Sequence, residues 1–566
     1  MKATDKIVDT ITANKKLQLC LFIFGITIIT LIMMVCYNPL FIGIDPYFNF
    51  NRLLVLMESI KDGNWLYHLD YNSINGYGYF TQAFYSDFLL IPFAIIGNLT
   101  NILFAYNVLL FSSNMLCGIS MYISVKKIYN STFCASVGAV LYTFCTYKIY
   151  LTFYNVALAE YISFIFIPIV FWGLYEIIKG DYKKWYIIAL GFILTVFTHV
   201  ITTVLLFIII LIFCIVYYKN LLSESKRIYA LIIAGFSCFL ICGLYLFPML
   251  EQMVSNRFYY QINPHIDMSY HRMHFDELFQ NLTNNLNRPF NIQRGQMGAF
   301  LLCMICLRLL IRERSEKLKS IDIGVIIGLF FIFSNSYLFT WNIFPLNKLE
   351  FIQFPWRLFK YSSYFFAVAG GFYLSILLKS DKQKILVLIS ISLFLIFTFY
   401  SDTKYYKNFL ADFNNTEINE NTIREGCQIA GAEYLPSKIS STDYFLKRGN
   451  KIESANTEIS ITNFNKNKGI INFNLKSEAF NTLELPLTYY KGYTATINNK
   501  KIPVSQSQNG LVEIATNESG QVKVWYEGTI VQKISPYVSL IGLIGLCVYI
   551  IRIRNNKKLK ISTLIK

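Results

Sequence analysis

Four ionisable residues stand at the edges of long apolar runs, and their types suit one kind of chemistry. Asp45 lies in Gly43-Ile44-Asp45-Pro46-Tyr47-Phe48-Asn49-Phe50-Asn51-Arg52, and Glu160 in Ala157-Leu158-Ala159-Glu160-Tyr161. His199 follows Thr198, and Arg357 closes Gln353-Phe354-Pro355-Trp356-Arg357. Charged groups at membrane depth are costly and are functional candidates by default. A carboxylate can take a proton from an acceptor hydroxyl, and a guanidinium can stabilise charge developing on a leaving phosphate. Each residue also has a plainer reading. Asp45 before Pro46 suits a turn or helix N-cap, and Glu160 suits a solvated helix start. His199 suits a turn between two spans, and Arg357 suits a side chain that snorkels beside Trp356.

The elements that must position these residues follow from composition. The chain has 566 residues, 54% apolar and only 15% charged, against about 25% charged in soluble proteins. A soluble enzyme, a DNA-binding protein and a secreted disulfide scaffold are excluded as whole-chain readings. Apolar runs cover residues 17–36, 102–125, 131–149, 161–178, 184–199, 201–218, 228–249, 297–311, 322–339, 356–379, 384–400 and 533–552. They predict a polytopic α-helical membrane protein with about twelve transmembrane helices. The net charge of +17 gathers in short segments between alternate runs. That pattern places those segments, and both termini, in the cytoplasm. It speaks for the lipid bilayer as partner and against nucleic acid. Residues 87–98 are too short to cross and read as an interfacial or re-entrant piece.

The same topology gives a membrane domain over 1–400, with a long first outer loop (37–85) and a second (251–296). Residues 401–530 form a small extracytoplasmic domain, and 531–566 hold the last span and a basic cytoplasmic tail. In the outer domain, alternation over 459–464, 469–475, 493–497, 510–515 and 521–526 predicts antiparallel strands. Turn signals lie between them at Asn498-Asn499, Asn509-Gly510 and Ser519-Gly520. The four candidate residues all fall at outer ends of spans. The nearest metal constellation is His271 and His274 with Asp267 or Asp276, an HxxH pair without a third ligand at a familiar spacing. Of the 12 cysteines, only Cys427 lies in a long polar stretch, so no disulfide framework is expected.

The segment around Asp45 resembles the first-loop acidic motif of GT-C membrane glycosyltransferases. Together with Gly76-Tyr77-Gly78, Phe84-Tyr85-Ser86-Asp87, Ala159-Glu160, Thr198-His199 and Phe354-Pro355-Trp356-Arg357, it is similar to bacterial YfhO-like proteins. The membrane family labelled "6-pyruvoyl-tetrahydropterin synthase-related" is matched in the same places. Gly431-Ala432-Glu433-Tyr434-Leu435-Pro436 and Tyr489-Tyr490-Lys491-Gly492-Tyr493 resemble its extracytoplasmic part. The pterin label describes a small soluble zinc chemistry for which this chain offers no convincing site.

The resemblance implies transfer of a sugar, with inversion, from a polyprenyl-phosphate-linked donor to a cell-envelope glycopolymer or glycolipid on the outer face. Asp45 would be the catalytic base or acceptor-orienting carboxylate, and Glu160, with His199, would position the acceptor or a divalent cation. Arg357, or Arg52 as second choice, would bind the lipid phosphate, and Tyr85, Asp87 and His199 would line the substrate site. No cofactor is implied for certain, although a divalent cation at Glu160 and His199 is compatible. Asn51 precedes Arg52 where oligosaccharyltransferases have Tyr-Arg, which argues against transfer to a protein asparagine. Two other classes stay open: a non-catalytic envelope scaffold, and a glycolipid flippase or transporter. The chain looks bacterial in style.

Overall fold

Runs of Leu, Ile, Val and Phe with almost no charge fold as helices because a bilayer leaves backbone groups no partner but each other. In the computed structural model, five helices among the described residues are long and apolar enough to cross a membrane. They are Lys15–Val35, Ile102–Tyr129, Leu158–Ile178, Asp381–Tyr406 and Ile530–Asn556. The pair Ser225–Ile241 and Gly243–Ser255, bent by 73°, makes a sixth if it is one span. The chain is therefore a mostly helical, multi-pass membrane protein. The described residues are 10, 14–36, 46–66, 68–262, 268–283, 294–411, 423, 433–441, 443–454, 459–477 and 479–565. Asp45, Asp267, Cys427, Gly431 and Ala432 lie outside them.

The remaining apolar runs are shorter or interrupted helices, and polar residues mark the interruptions. Residues 131–149 divide into Thr132–Thr143 and Thr146–Phe153. Thr198 and His199 separate Tyr186–Val196 from Val200–Val216. Glu316–Phe333 carries charge in its first two turns, and Phe359–Leu377 is entered through the 3-10 turn Pro355–Leu358. The apolar helix Phe88–Leu99 is roughly 18 Å long at 1.5 Å per residue, well short of a ~30 Å core. Small residues allow the tightest helix pairing. A Cβ on Gly371 would lie 2.6 Å from the Cys134 carbonyl oxygen, so Phe359–Leu377 and Thr132–Thr143 approach backbone to backbone.

The C-terminal region contains nine strands in two antiparallel sheets. They are β1 (Glu453–Ser454), β2 (Ile459–Asn467), β3 (Ile470–Ser477), β4 (Asn481–Thr488), β5 (Tyr493–Ile497), β6 (Lys500–Ile502), β7 (Val504–Gln506), β8 (Leu511–Thr516) and β9 (Gly520–Tyr526). The sheet orders are β1-β4-β8-β7 and β2-β3-β9-β5-β6. Ile471, Phe473, Leu483, Leu485, Ile514 and Val524 come from both sheets into one buried cluster, which Leu69, Phe80 and Phe84 of the first loop also enter. The alternation read from the sequence is the inward face of these strands.

The chain forms two compact units that do not follow chain order. One comprises Met1–Asn49, Phe93–Gly235 and Ile266–Thr422. The other comprises Phe50–Pro92, Phe236–His265 and Ile423–Lys566. The sequence reading groups the first loop with the 1–400 membrane domain, whereas here its larger part packs in the unit that holds the sheets.

The β2–β3 hairpin turns through Lys468 (φ +46°) and Gly469 (φ +72°), between the paired residues Asn467 and Ile470. Both central residues of such a two-residue turn need positive φ. A Cβ on Gly469 would also overlap the Tyr71 ring, whereas Lys468 gives up only an exposed ion pair to Asp62. Gly469→Ala is therefore expected to lower stability by roughly 2 kcal/mol. Lys468→Gly should raise it by about 1 kcal/mol. Unfolding midpoints of the two full-length variants test this, and shifts of the same sign would refute it.

Candidate functional site

Glu160 sits on the first turn of the helix Leu158–Ser163, and its side chain is only 3% exposed. A carboxylate there needs partners, because desolvation otherwise costs several kcal/mol. Three groups supply them. The Lys360 ammonium lies 2.9 Å from Oε1, and the Arg357 Nε lies 3.5 Å from Oε2. The Tyr147 hydroxyl donates to Oε1 at 2.8 Å. Arg357 and Lys360 are three apart across the Pro355–Leu358 turn and the start of Phe359–Leu377, so they project from one side of the helix entry.

A hydroxyl relay ties His199 to the same cluster. Lys360 Nζ donates to Thr202 Oγ1 at 2.6 Å, and an ammonium has only protons to give. Thr202 Oγ1 therefore uses its own proton toward His199 Nδ1, 2.7 Å away. The Thr202 backbone N–H also donates to His199 Nδ1, at 3.2 Å, which caps the helix Val200–Val216. Two donors on Nδ1 assign the neutral tautomer with its proton on Nε2. Tyr361 completes the frame, its hydroxyl donating to the Thr202 carbonyl at 2.9 Å.

The charges do not balance. Two cations face one carboxylate, and His199 is neutral, so one positive charge is left over among the described residues. Arg357 Nη1 donates to the Ile352 carbonyl and to Gln353 Oε1, both at 2.8 Å, and Nη2 makes no hydrogen bond among the described residues. Close by, buried Lys148 donates to Asn114 Oδ1 at 2.7 Å and lies over the Tyr161 ring at 4.7 Å. It has no carboxylate partner among the described residues.

Two strained backbone positions frame the cluster. Val156, four residues before Glu160, has φ +51°, and Gln353, four before Arg357, has φ +66°. A β-branched residue in this region is a true outlier, and such strain of about 1–3 kcal/mol gathers at functional sites. The Val156 carbonyl accepts from Asn49 Nδ2 at 2.7 Å. That bond fastens the first turn of the helix Pro46–Lys61 beside the strand of chain leading to Glu160. Asp45 directly precedes this helix in sequence and lies outside the described residues.

A second cluster belongs to the other unit. Asp87 accepts from Arg52 Nε at 3.0 Å and Nη2 at 2.5 Å, and also from Gln82. Arg52 lies over the Tyr85 ring at 4.8 Å. Both charges are buried and balanced, so Arg52 has its counter-ion and is the weaker candidate for a phosphate. Asp87, Gln82 and Ser86 line a cavity of about 160 Å³ with His68, Trp65 and Tyr245. His68 stacks on Phe80 at 6.1 Å, and burial pushes its imidazole down to about 4. Asp70 of the same loop accepts from Ser73, Asn72 and Asn51, yet burial raises its carboxyl above the usual range.

Of the residues singled out in the sequence, Glu160, His199 and Arg357 thus meet in one unit, and Arg52, Tyr85 and Asp87 meet in the other. Sequence reasoning missed Lys360, Tyr147 and Lys148. The signal was present for the lysines, since each interrupts an apolar run. His271 packs edge-on against Phe354 and Trp356, and His274 stacks on Tyr337. Among the described residues no three His, Cys, Asp or Glu side chains come together as a metal site.

Apolar helices of crossing length, a cationic cluster at helix breaks and a two-sheet β region define a multi-pass, bilayer-associated protein. Residues 55–342 match the model of a family of unknown function, DUF6541, and this chain belongs to that family. An uncharacterized protein of Lactococcus lactis subsp. cremoris (strain MG1363) is 22% identical over 567 residues, covering 90% of this chain and 91% of its own.

Two expectations follow. Glu160→Ala leaves buried Lys360 and partly exposed Arg357 without their carboxylate and should cost about 3–5 kcal/mol. Glu160→Gln with Lys360→Met should recover most of that loss, because Arg357 keeps some solvent. Thermal unfolding in detergent reads both, and a single variant as stable as the parent would refute the assignment. For His68, the unfolded chain binds a proton below about 6.5 that the folded chain refuses down to about 4. Stability is therefore lost as pH falls across that window. Allowing for partial exposure, the parent should lose about 2 kcal/mol more than His68→Gln between pH 7 and 4.5. The comparison cancels Asp70, whose raised carboxyl acts in the opposite direction. Equal losses would refute it.

Proposed function

We propose that this protein is a GT-C-type membrane glycosyltransferase that moves a sugar from a polyprenyl-phosphate-linked donor to a cell-envelope acceptor on the outer face. The observation that carries the reading is that two cations, Arg357 and Lys360, face the single carboxylate of Glu160 among the described residues. A lipid phosphate is an anion attached to an apolar tail, and a cationic cluster inside an apolar unit suits both parts.

In the reaction, the acceptor oxygen bonds to the anomeric carbon from the face opposite the phosphate, which inverts the centre. The bond from that carbon to the phosphate oxygen breaks, and the electron pair stays on the phosphate. Arg357, through its uncommitted Nη2, and Lys360 stabilise the charge that develops there. Asp45 takes the acceptor proton. Glu160 is a positioning residue in this scheme, since its oxygens are occupied by Lys360, Arg357 and Tyr147. The His199–Thr202 relay holds Lys360 in place.

The test is glycan composition of the cell envelope in a deletion strain carrying the parent, Asp45→Asn or Arg357→Gln at equal membrane levels. The parent should restore a missing sugar. Asp45→Asn should lower transfer by about 10²–10⁴-fold, and Arg357→Gln by about 10²–10³-fold. If all three restore the sugar equally, no transfer chemistry resides here, and a scaffold or flippase role takes its place.

A further inference from the structure

A second cavity in the unit formed by Met1–Asn49, Phe93–Gly235 and Ile266–Thr422 has no part in that scheme. It has a volume of about 290 Å³. Its walls are apolar and aromatic, with Phe171, Phe213 and Phe365 packed edge to face or tilted at 5.3–5.8 Å. Its polar groups are mainly hydrogen-bond donors. Lys179 Nζ and the Tyr217 hydroxyl both donate to Ser320 Oγ, at 2.8 and 2.9 Å, and Lys179 covers the Tyr217 ring at 4.8 Å. Exposed Lys317 stands on the lining as well, with Glu316 as the one acidic group. Lys319 is close enough to act on Lys179. The Tyr129 and Tyr175 hydroxyls, also on the lining, make no hydrogen bond among the described residues.

Sequence position fixes the side of the membrane. The lining includes Lys179, Lys317 and Tyr129, which belong to or adjoin the basic segments at 126–127, 179–184 and 312–319. These are the segments that the positive-inside rule assigns to the cytoplasm. The cavity therefore opens toward the leaflet opposite the Glu160 cluster. A small soluble anion would use the lysines and leave the aromatic interior empty. A neutral hydrocarbon would fill the interior and leave the lysines without purpose.

We propose that this cavity is a binding site for an anionic amphiphile of the inner leaflet, an apolar chain bearing a phosphate head group. Lys179 and Lys317 hold the phosphate, Tyr129 and Tyr175 have hydroxyls to donate to it, and the chain lies among Phe171, Phe213 and Phe365. The occupant is a lipid that the protein keeps on its cytoplasmic side, independent of the sugar chemistry above.

The full chain in nanodiscs of uncharged phosphatidylcholine, dialysed against radiolabelled dodecyl phosphate, tests this directly. Saturable uptake above empty nanodiscs is expected, weakened about tenfold or more in Lys179→Gln/Lys317→Gln. Both lysines are exposed, so the double variant should keep the parent's gel-filtration profile, which is checked alongside. Failure of excess inorganic phosphate or dodecanol to compete would confirm that head group and chain are needed together. Equal competition by inorganic phosphate would make this a simple anion site and overturn the proposal. Competition by dodecanol with unchanged binding to the double variant, or no saturable uptake, would overturn it too.

Discussion

Placing a carboxylate inside an apolar helical unit constrains everything around it. Glu160 can be buried only if cations come to it, and cations can be buried only if their remaining protons find acceptors. Continuous helices spend their backbone groups on themselves and have none to lend. Helix ends do, and this unit brings several of them together. The turn before Leu158–Ser163, the start of Val200–Val216 and the 3-10 entry to Phe359–Leu377 provide carbonyls, a capping imidazole and a hydroxyl. The interruptions that keep several apolar runs short of crossing length are thus the places where polar groups become available.

The two clusters of charge differ in their accounts. Arg52 and Asp87 cancel, with Gln82 taking up the other carboxylate oxygen and Tyr85 facing the guanidinium plane. Such a buried, mutually paired set organises a loop. Around Glu160 two cations face one carboxylate among the described residues, and nearby Lys148 has no carboxylate partner there either. Local charge balance, more than the identity of any residue, separates a structural ion pair from a place suited to an anion.

Much of this was legible in the sequence because the signals were local. Break points such as Thr198-His199 are polar residues in apolar runs, and the hairpin at Asn498-Asn499 announces positive φ, seen at +49° and +66°. Tyr493–Ile497 alternates cleanly and forms the strand expected. Strand β4 was missed although Leu483, Leu485 and Leu487 alternate, since Pro486 argues against an inner strand. The register shift between Glu484 and Thr488 is how the fold tolerates it. The number of crossings was less legible, because apolar length alone cannot separate a spanning helix from two half-helices joined at a functional break. The cationic partners of Glu160, Arg357 and Lys360, lie more than a hundred residues away in sequence, a separation that no spacing rule bridges.

A buried ion cluster is poor evidence for stability, since apolar residues of similar volume commonly serve as well or better. In an apolar membrane unit the case is stronger still, because hydrocarbon side chains would satisfy every packing need around Phe359–Leu377. Here two cations, a carboxylate, a fixed imidazole tautomer and two strained backbone positions coincide within a few turns. Each costs free energy in the isolated protein, and none is needed to keep the helices together. Such an arrangement makes sense if a ligand supplies the missing negative charge, for then the excess of Arg357 and Lys360 becomes binding energy. The cluster is anchored at helix ends, with Asn49 Nδ2 bonded to the Val156 carbonyl in the stretch of chain before Glu160.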